Sequence, residues 1–185
     1  MCSSDLPVCG WLAGPTLLFL LGYSHCKRFT WLCHLWLGVA LGIAPVAAWL
    51  AVDGAFSARL LAPTVLGASV ALWVAGFDVL YACQDERFDR EHGLHSLPAR
   101  FGNARAMWVA RALHALALSG FFTFGWLAPL ATCYLVGVSG AAGLLVWQHR
   151  LLRPHDLSRI DMAFFTANGT IAVLLFVAGC LDLYL

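Results

Sequence analysis

Polar positions along this chain are bunched, and the stretches between them are apolar all round rather than on one face. Residues 8–24, 31–52 ("WLCHLWLGVALGIAPVAAWLAV"), 60–80 and 162–183 each form one apolar run. A longer run spans 106–147, and "GWLAP" at 125–129 divides it into two. Each piece has about the 20 residues that a helix needs to cross the hydrocarbon of a bilayer. A backbone in lipid must satisfy its own hydrogen bonds, which leaves helices or a closed barrel. A barrel would show short alternating segments, and these runs do not alternate. The expected fold is therefore an all-α integral membrane domain over residues 1–185, with six transmembrane helices and a kink at Pro45 in the second.

Composition agrees. The chain is 61% hydrophobic and 11% charged, whereas soluble domains are about one quarter charged. Too few polar residues exist to cover a soluble bundle of this length. Seven cysteines, at 2, 9, 26, 33, 83, 133 and 180, form no CxxC pair. They read as small hydrophobes, with neither a disulfide framework nor a zinc site. A net charge of +1 offers nothing to nucleic acid, so the bilayer is the expected macroscopic partner.

Nine of the 11 Lys and Arg residues lie in three loops: Lys27 and Arg28; Arg87, Arg90, Arg100 and Arg105; Arg150, Arg153 and Arg159. The alternate loops hold only Arg59. This bias places all three charged loops in the cytoplasm. Arg111, inside the fourth span, is expected to snorkel or to face the bundle interior. The opening "MCSSDL" has no basic leader, and "CSSDL" is what the adapter-like string TGC-TCT-TCC-GAT-CT encodes. Residues 1–6 are therefore expected to be an assembly artefact, with the chain beginning further upstream.

Within "DVLYACQDERFDREHGLHSLPARFG", residues 78–102, stand five of the 10 acids and three arginines. Topology explains the arginines but not the acids. If the third span continues as a helix, Asp78, Asp85 and Asp89 fall within about 40° of one another at 100° per residue, with Tyr81 nearby. Asp78 follows "ALWVAGF", at or inside the membrane boundary, where an ionisable group is costly and marks function. Asp85 and Asp89 stand one turn apart and would repel unless they share a cation. Carboxylates suit Mg²⁺ completed by water and substrate phosphate. Carboxylates with Lys27 and Arg28 suit a diphosphate bridged by that metal, and the adjoining apolar bundle suits a lipid tail. These residues point to an Mg²⁺-dependent enzyme acting on a lipid diphosphate.

The motif resembles the second aspartate-rich motif of the UbiA family of aromatic prenyltransferases, D-x-x-Y-A-x-x-D-x-x-x-D-x-x-x-G, at Asp78, Tyr81, Ala82, Asp85, Asp89 and Gly93. "CKRFTWLCHLWLGVALGIAP" is similar to the basic loop and following span of that family, with its KR-[FY]-T at Lys27 to Thr30. The resemblance implies a bundle of nine helices, of which this chain would supply helices four to nine. The first motif, N-x-x-x-D-x-x-x-D, belongs to the missing N-terminal third, so the chain alone could be inactive. It further implies transfer of a polyprenyl group from an allylic diphosphate to an aromatic acid, 4-hydroxybenzoate or a related naphthoate, in ubiquinone or menaquinone biosynthesis. Asp85 and Asp89 would hold Mg²⁺. Lys27, Arg28 and Arg100 would contact diphosphate or the aromatic carboxylate. Tyr81 would orient the diphosphate or screen the allylic cation, and Asp78 would order Tyr81 or assist at the ring. A bacterial inner membrane with the site facing the cytoplasm follows from the same comparison.

Other residues read more plainly. His92 and His95 are loop histidines, and His34 and His114 hydrogen-bond across helices. Asp156 or Ser158 caps the last span. Three alternatives remain at this level: a non-catalytic truncated fragment, a membrane cation transporter drawing on Asp78, Asp85 and Asp182, and a CDP-alcohol phosphotransferase-like enzyme. The last would need a D-G and an acid pair around "PARFGNARA" that the chain lacks.

Overall fold

The computed structural model describes residues 7–185; the expectation for residues 1–6 lies outside them. Every regular element among the described residues is helical apart from one isolated bridge between Arg153 and Asp156. Six long helices carry the fold: α1 (Pro7–Cys26), α2 (Cys33–Asp53), α3 (Leu61–Ala82), α6 (Asn103–Leu127), α7 (Thr132–Leu151) and α8 (Asn168–Tyr184). Two short ones, α4 (Glu86–Glu91) and α5 (Leu97–Phe101), sit between α3 and α6. Five helical stretches, those of α1, α2, α3 with its flanking turns and α4, α6, and α8 with its first turn, are long and apolar enough to cross a membrane. The remaining long helix, α7, has crossing length but carries three glycines and holds Gln148, His149 and Arg150 in its last turn. The six expected spans match the six long helices, and α6 ends at Leu127, inside "GWLAP". α2 runs unbroken through Pro45.

In lipid, helices gain little from apolar burial and associate by close contact of small residues. α3 is the central helix, packed on α2 along one side and α6 along the other, while α7 pairs with α8. The α2–α3 contact is backbone to backbone. A Cβ added at Gly38 would collide with the Ala71 carbonyl, and one at Gly42 with the Gly67 carbonyl. Gly38 and Gly42 form a GxxxG on α2. On the α6 side, Gly76 lies under the ring of His114.

All three basic loops meet at one end of the bundle. Val79, Leu80 and Cys83 of the α3 end pack there with Leu97, with Met107 of α6, and with Leu152 and Ile160 of the last loop. At the opposite end, Asp182 of α8 accepts from the backbone N–H groups of Cys133 (3.1 Å) and Tyr134 (2.8 Å). Those are orphan donors of the first turn of α7, so Asp182 is a helix cap rather than a pathway acid.

The entry to α8 was not foreseen. Residues Met162–Ala167 form a π-helical stretch, and the Gln148 side-chain amide donates to the Ala163 carbonyl at 2.8 Å. Such widened turns concentrate near functional sites. Asp156 accepts from the Ser158 hydroxyl (2.7 Å) and N–H (3.1 Å), closing the preceding turn rather than capping the helix. Those bonds hold the Asp156 carboxyl below the usual range.

Because the α2–α3 contact has no room for a side chain, Gly38→Ala is expected to destabilise the protein in detergent by about 1–3 kcal/mol, as overpacking does. Gly14→Ala, in open space, serves as the control. Equal unfolding midpoints for wild type and Gly38→Ala would remove this contact as a determinant of the fold.

Candidate active site

α3 does not stop at the membrane boundary. It tightens into a 3₁₀ turn over Cys83–Asp85 and continues as α4. A 3₁₀ turn advances about 120° per residue against 100° in an α-helix. Three such residues turn Asp85 and Asp89 about 60° away from the phase of Asp78. The single stripe expected from an uninterrupted helix is therefore split, with Asp78 apart from the two later acids.

The later pair meets the α1–α2 loop. The Lys27 ammonium lies 2.9 Å from Asp89 Oδ1 and 3.6 Å from Asp85. The Asp89 side chain is 0% exposed, that of Asp85 44% and that of Lys27 33%. A fully buried carboxylate is tenable only beside a cation, and here the cation shared by the two acids is the lysine. Asp89 Oδ2 is buried with no hydrogen-bond donor. Burial pulls the Lys27 ammonium toward losing its proton, but the Asp89 hydrogen bond and the charges of Asp89 and Asp85 outweigh it, so its pKa ends above the ordinary lysine value.

Backbone bonds hold this cluster together. α4 ends with Leu94 N–H on Asp89 C=O (2.8 Å) and Gly93 N–H on Arg90 C=O (3.4 Å), the paired closure of a Schellman motif. Gly93 supplies the left-handed conformation that closure needs, φ +65°. The chain then doubles back, and His95 N–H donates to the Lys27 carbonyl at 2.7 Å. Lys27 is thus tied by its backbone to one side of the acidic segment and by its ammonium to the other.

Asp78 is engaged elsewhere. Its Oδ2 lies 2.6 Å from Nδ1 of His34 on α2, a cross-helix bond that sequence reasoning anticipated for His34 without naming its partner. Asp78 does not order Tyr81, whose ring lies against Phe164 at 4.4 Å between centroids. Phe164 belongs to the π-helical stretch and also meets Phe77 edge-on at 5.3 Å. Phe77 in turn meets Trp73 at 5.8 Å, so an aromatic row runs from Tyr81 down α3. No sequence signal announced the π turn that inserts Phe164.

Arg28 is exposed and, among the described residues, its side chain makes no hydrogen bond or ion pair. Arg100 lies over the Trp31 ring at 5.6 Å and the Phe101 ring at 5.4 Å. It is held by cation–π contact rather than by a carboxylate. Arg111 similarly lies over the ring of the outward-facing Trp108 at 4.7 Å. His92 bonds back to Phe88 C=O at 2.9 Å, and His114 meets His149 at 2.9 Å. Among the described residues, no three His, Cys, Asp or Glu side chains converge as a metal cage. What is present is two carboxylates and one unpartnered buried oxygen, which fits part of the shell of a hard divalent cation completed by water and phosphate. A cleft of about 550 Å³ on the Glu86 and Arg87 side of α4 includes neither Lys27 nor Asp89, so the ionic cluster marks the site rather than this cleft.

Comparison with known proteins bears on this geometry. A family model described as the UbiA prenyltransferase family matches residues 5–178. The 4-hydroxybenzoate octaprenyltransferase of Nitrosospira multiformis is 30% identical over 92% of this chain and 57% of its own length. The mitochondrial 4-hydroxybenzoate polyprenyltransferase of Arabidopsis thaliana is 31% identical over 74% of this chain and 33% of its own. The chain thus spans between one third and three fifths of these two relatives. The apo structure of a UbiA homolog from Aeropyrum pernix superimposes with a TM-score of 0.82 and 30% identity, covering 94% of this chain and 63% of that one. With the match running through every long helix and through the acidic segment bound to Lys27, the chain belongs to the UbiA prenyltransferase family.

Proposed function

We propose that this chain contributes Asp85, Asp89 and Lys27 to an Mg²⁺-dependent site that transfers a polyprenyl group from an allylic diphosphate to an aromatic acid in quinone biosynthesis. The acceptor is 4-hydroxybenzoate or a related naphthoate. The observation that carries the proposal is the ionic cluster of Lys27, Asp85 and buried Asp89 at the end of an apolar bundle. The family relationship and the names of the relatives support the reaction class. The concentration of Lys and Arg at the same end supports a cytoplasmic site in a bacterial inner membrane.

Asp85 and Asp89 would hold Mg²⁺, which when bound neutralises the diphosphate leaving group. Lys27 is within reach of both carboxylates and would move part of its ion pairing to a phosphate oxygen when diphosphate arrives. Exposed Arg28 would take a second oxygen, and Arg100 can swing from Trp31 to a third. As the allylic C–O bond breaks, its electron pair leaves with the diphosphate and positive charge grows on the prenyl carbons. Tyr81 and Phe164 offer aromatic faces to that charge and exclude water from it. The acceptor ring then forms the new C–C bond and loses a proton. Asp78, whose Oδ2 is bonded to His34, is the candidate to steer that proton through its other oxygen.

Asp89→Asn is expected to lower prenyl transfer by about 10²-fold or more, as loss of one transition-state contact does, and EDTA should abolish it. Labelled prenyl diphosphate and 4-hydroxybenzoate in membranes carrying the protein would measure both. Transfer that survives Asp89→Asn and EDTA would contradict the role given to the acids.

Lys27→Met leaves Asp89 buried without its cation. It should cost up to about 3 kcal/mol, the low end for breaking a buried pair because Lys27 is partly exposed. Adding Asp89→Asn should return most of that loss, and a double-mutant cycle in detergent reads it directly. With its value raised, the Lys27 contribution to the pair is fully present below the ordinary lysine pKa, about 10.4, and is lost as pH rises through the higher folded value. Wild-type stability attributable to this pair should therefore stay flat between about pH 6 and 9. Additive single mutants, or a coupling that fades in that window, would count against it.

A further inference from the structure

Leu97 opens α5 and is buried. The first N–H groups of a helix have no partner inside it, and a buried N–H must find one elsewhere. Ser96 Oγ takes the N–H of Ala99 at 3.2 Å. The N–H of Leu97 remains, and it donates to Nε2 of His34 at 3.3 Å. That bond fixes the imidazole. Nε2 must be the unprotonated nitrogen, so the ring proton sits on Nδ1, which donates to Asp78 Oδ2 at 2.6 Å. His34 is 2% exposed, and both nitrogens are consumed, which leaves no lone pair for a metal.

Three elements are joined by this ring: α3 through Asp78, α2 through His34 itself, and α5 through Leu97. Residues 94–97 carry further ties. Leu94 N–H reaches Asp89 C=O, His95 N–H reaches Lys27 C=O, and the His95 carbonyl accepts from the Cys33 thiol at 3.6 Å. The strand of chain that His34 anchors is therefore the strand that holds the Lys27 backbone beside Asp89.

We propose that His34, as its Nδ1–H tautomer, is a positioning residue. By pinning the start of α5 to Asp78 it fixes residues 94–97, and through the His95–Lys27 bond it sets where the Lys27 ammonium stands over Asp85 and Asp89. What that position serves rests on the prenyl-transfer reading; the positioning itself does not. Glutamine carries the groups for both bonds, an amide oxygen to accept from Leu97 and an NH₂ to donate to Asp78. Alanine leaves a buried N–H and a carboxylate unpaired.

The test uses the whole chain in lipid nanodiscs, wild type, His34→Gln and His34→Ala. Nitrogen-15 NMR of labelled histidine should show His34 as a neutral ring protonated on Nδ1. Amide exchange at residues 94–97 should quicken about tenfold in His34→Ala, as loss of a buried hydrogen bond implies. Acetylation of the Lys27 amine should quicken with it, while exchange at residues 132–136, at the far end, stays unchanged. His34→Gln should restore both. A ring protonated on Nε2, unchanged exchange in His34→Ala, or a glutamine variant no better than alanine would each overturn the proposal. Should His34→Ala fail to fold, the wild-type tautomer and the glutamine variant still decide it. A chain that passes these tests but does not bind pyrophosphate with Mg²⁺ would sink the prenyl-transfer reading and leave the positioning role standing.

Discussion

A carboxylate with no solvent exposure has to be matched by a cation, and Asp89 is such a carboxylate. Much of the charged end of the bundle follows from that requirement. Lys27 has to come from another loop, so the α1–α2 connection is drawn onto the end of α3. The backbone of Lys27 has to be fixed, so the chain after α4 turns at Gly93 and returns along it. The turn in α3 has to present Asp85 and Asp89 toward that loop, and the 3₁₀ residues Cys83–Asp85 do so at the cost of the phase shared with Asp78.

The pair is also poised. Lys27 neutralises two acids with one charge, and Asp89 Oδ2 still lacks a partner. A site with one carboxylate charge in excess and an orphan oxygen is a receptive place for a divalent cation. Arrival of a cation would relieve Lys27 for an anion. The same residues that stabilise the protein without ligand are thereby suited to receive a metal–diphosphate pair.

Much of the fold was legible in the sequence because lipid imposes a coarse constraint: a crossing must be helical and about 20 residues long. The loops of basic residues were legible for the same reason. At the site, residue types were legible and partners were not. Asp85 and Asp89 stood out as two acids one turn apart, and a shared cation was foreseen, but nothing in local spacing named Lys27, 58 and 62 positions away, as that cation. Asp78 was grouped with Tyr81 because an uninterrupted helix puts them on one face. The His34 bond of Asp78 and the Phe164 contact of Tyr81 draw the two to different partners, while the 3₁₀ turn takes Asp85 and Asp89 off their face, and all of this depends on packing between elements. The π turn that brings Phe164 to Tyr81 is stabilised by Gln148 of another helix, again invisible in a one-dimensional pattern. Asp182 looked like an intramembrane acid until its two backbone donors were seen.

The claim that Lys27, Asp85 and Asp89 together receive a metal-bridged diphosphate is tested most directly by calorimetric titration of the purified protein with inorganic pyrophosphate. Binding should be measurable with Mg²⁺ present, weaken by at least about tenfold with EDTA, and weaken again in Lys27→Met. Pyrophosphate binding that ignores both Mg²⁺ and Lys27 would contradict the account.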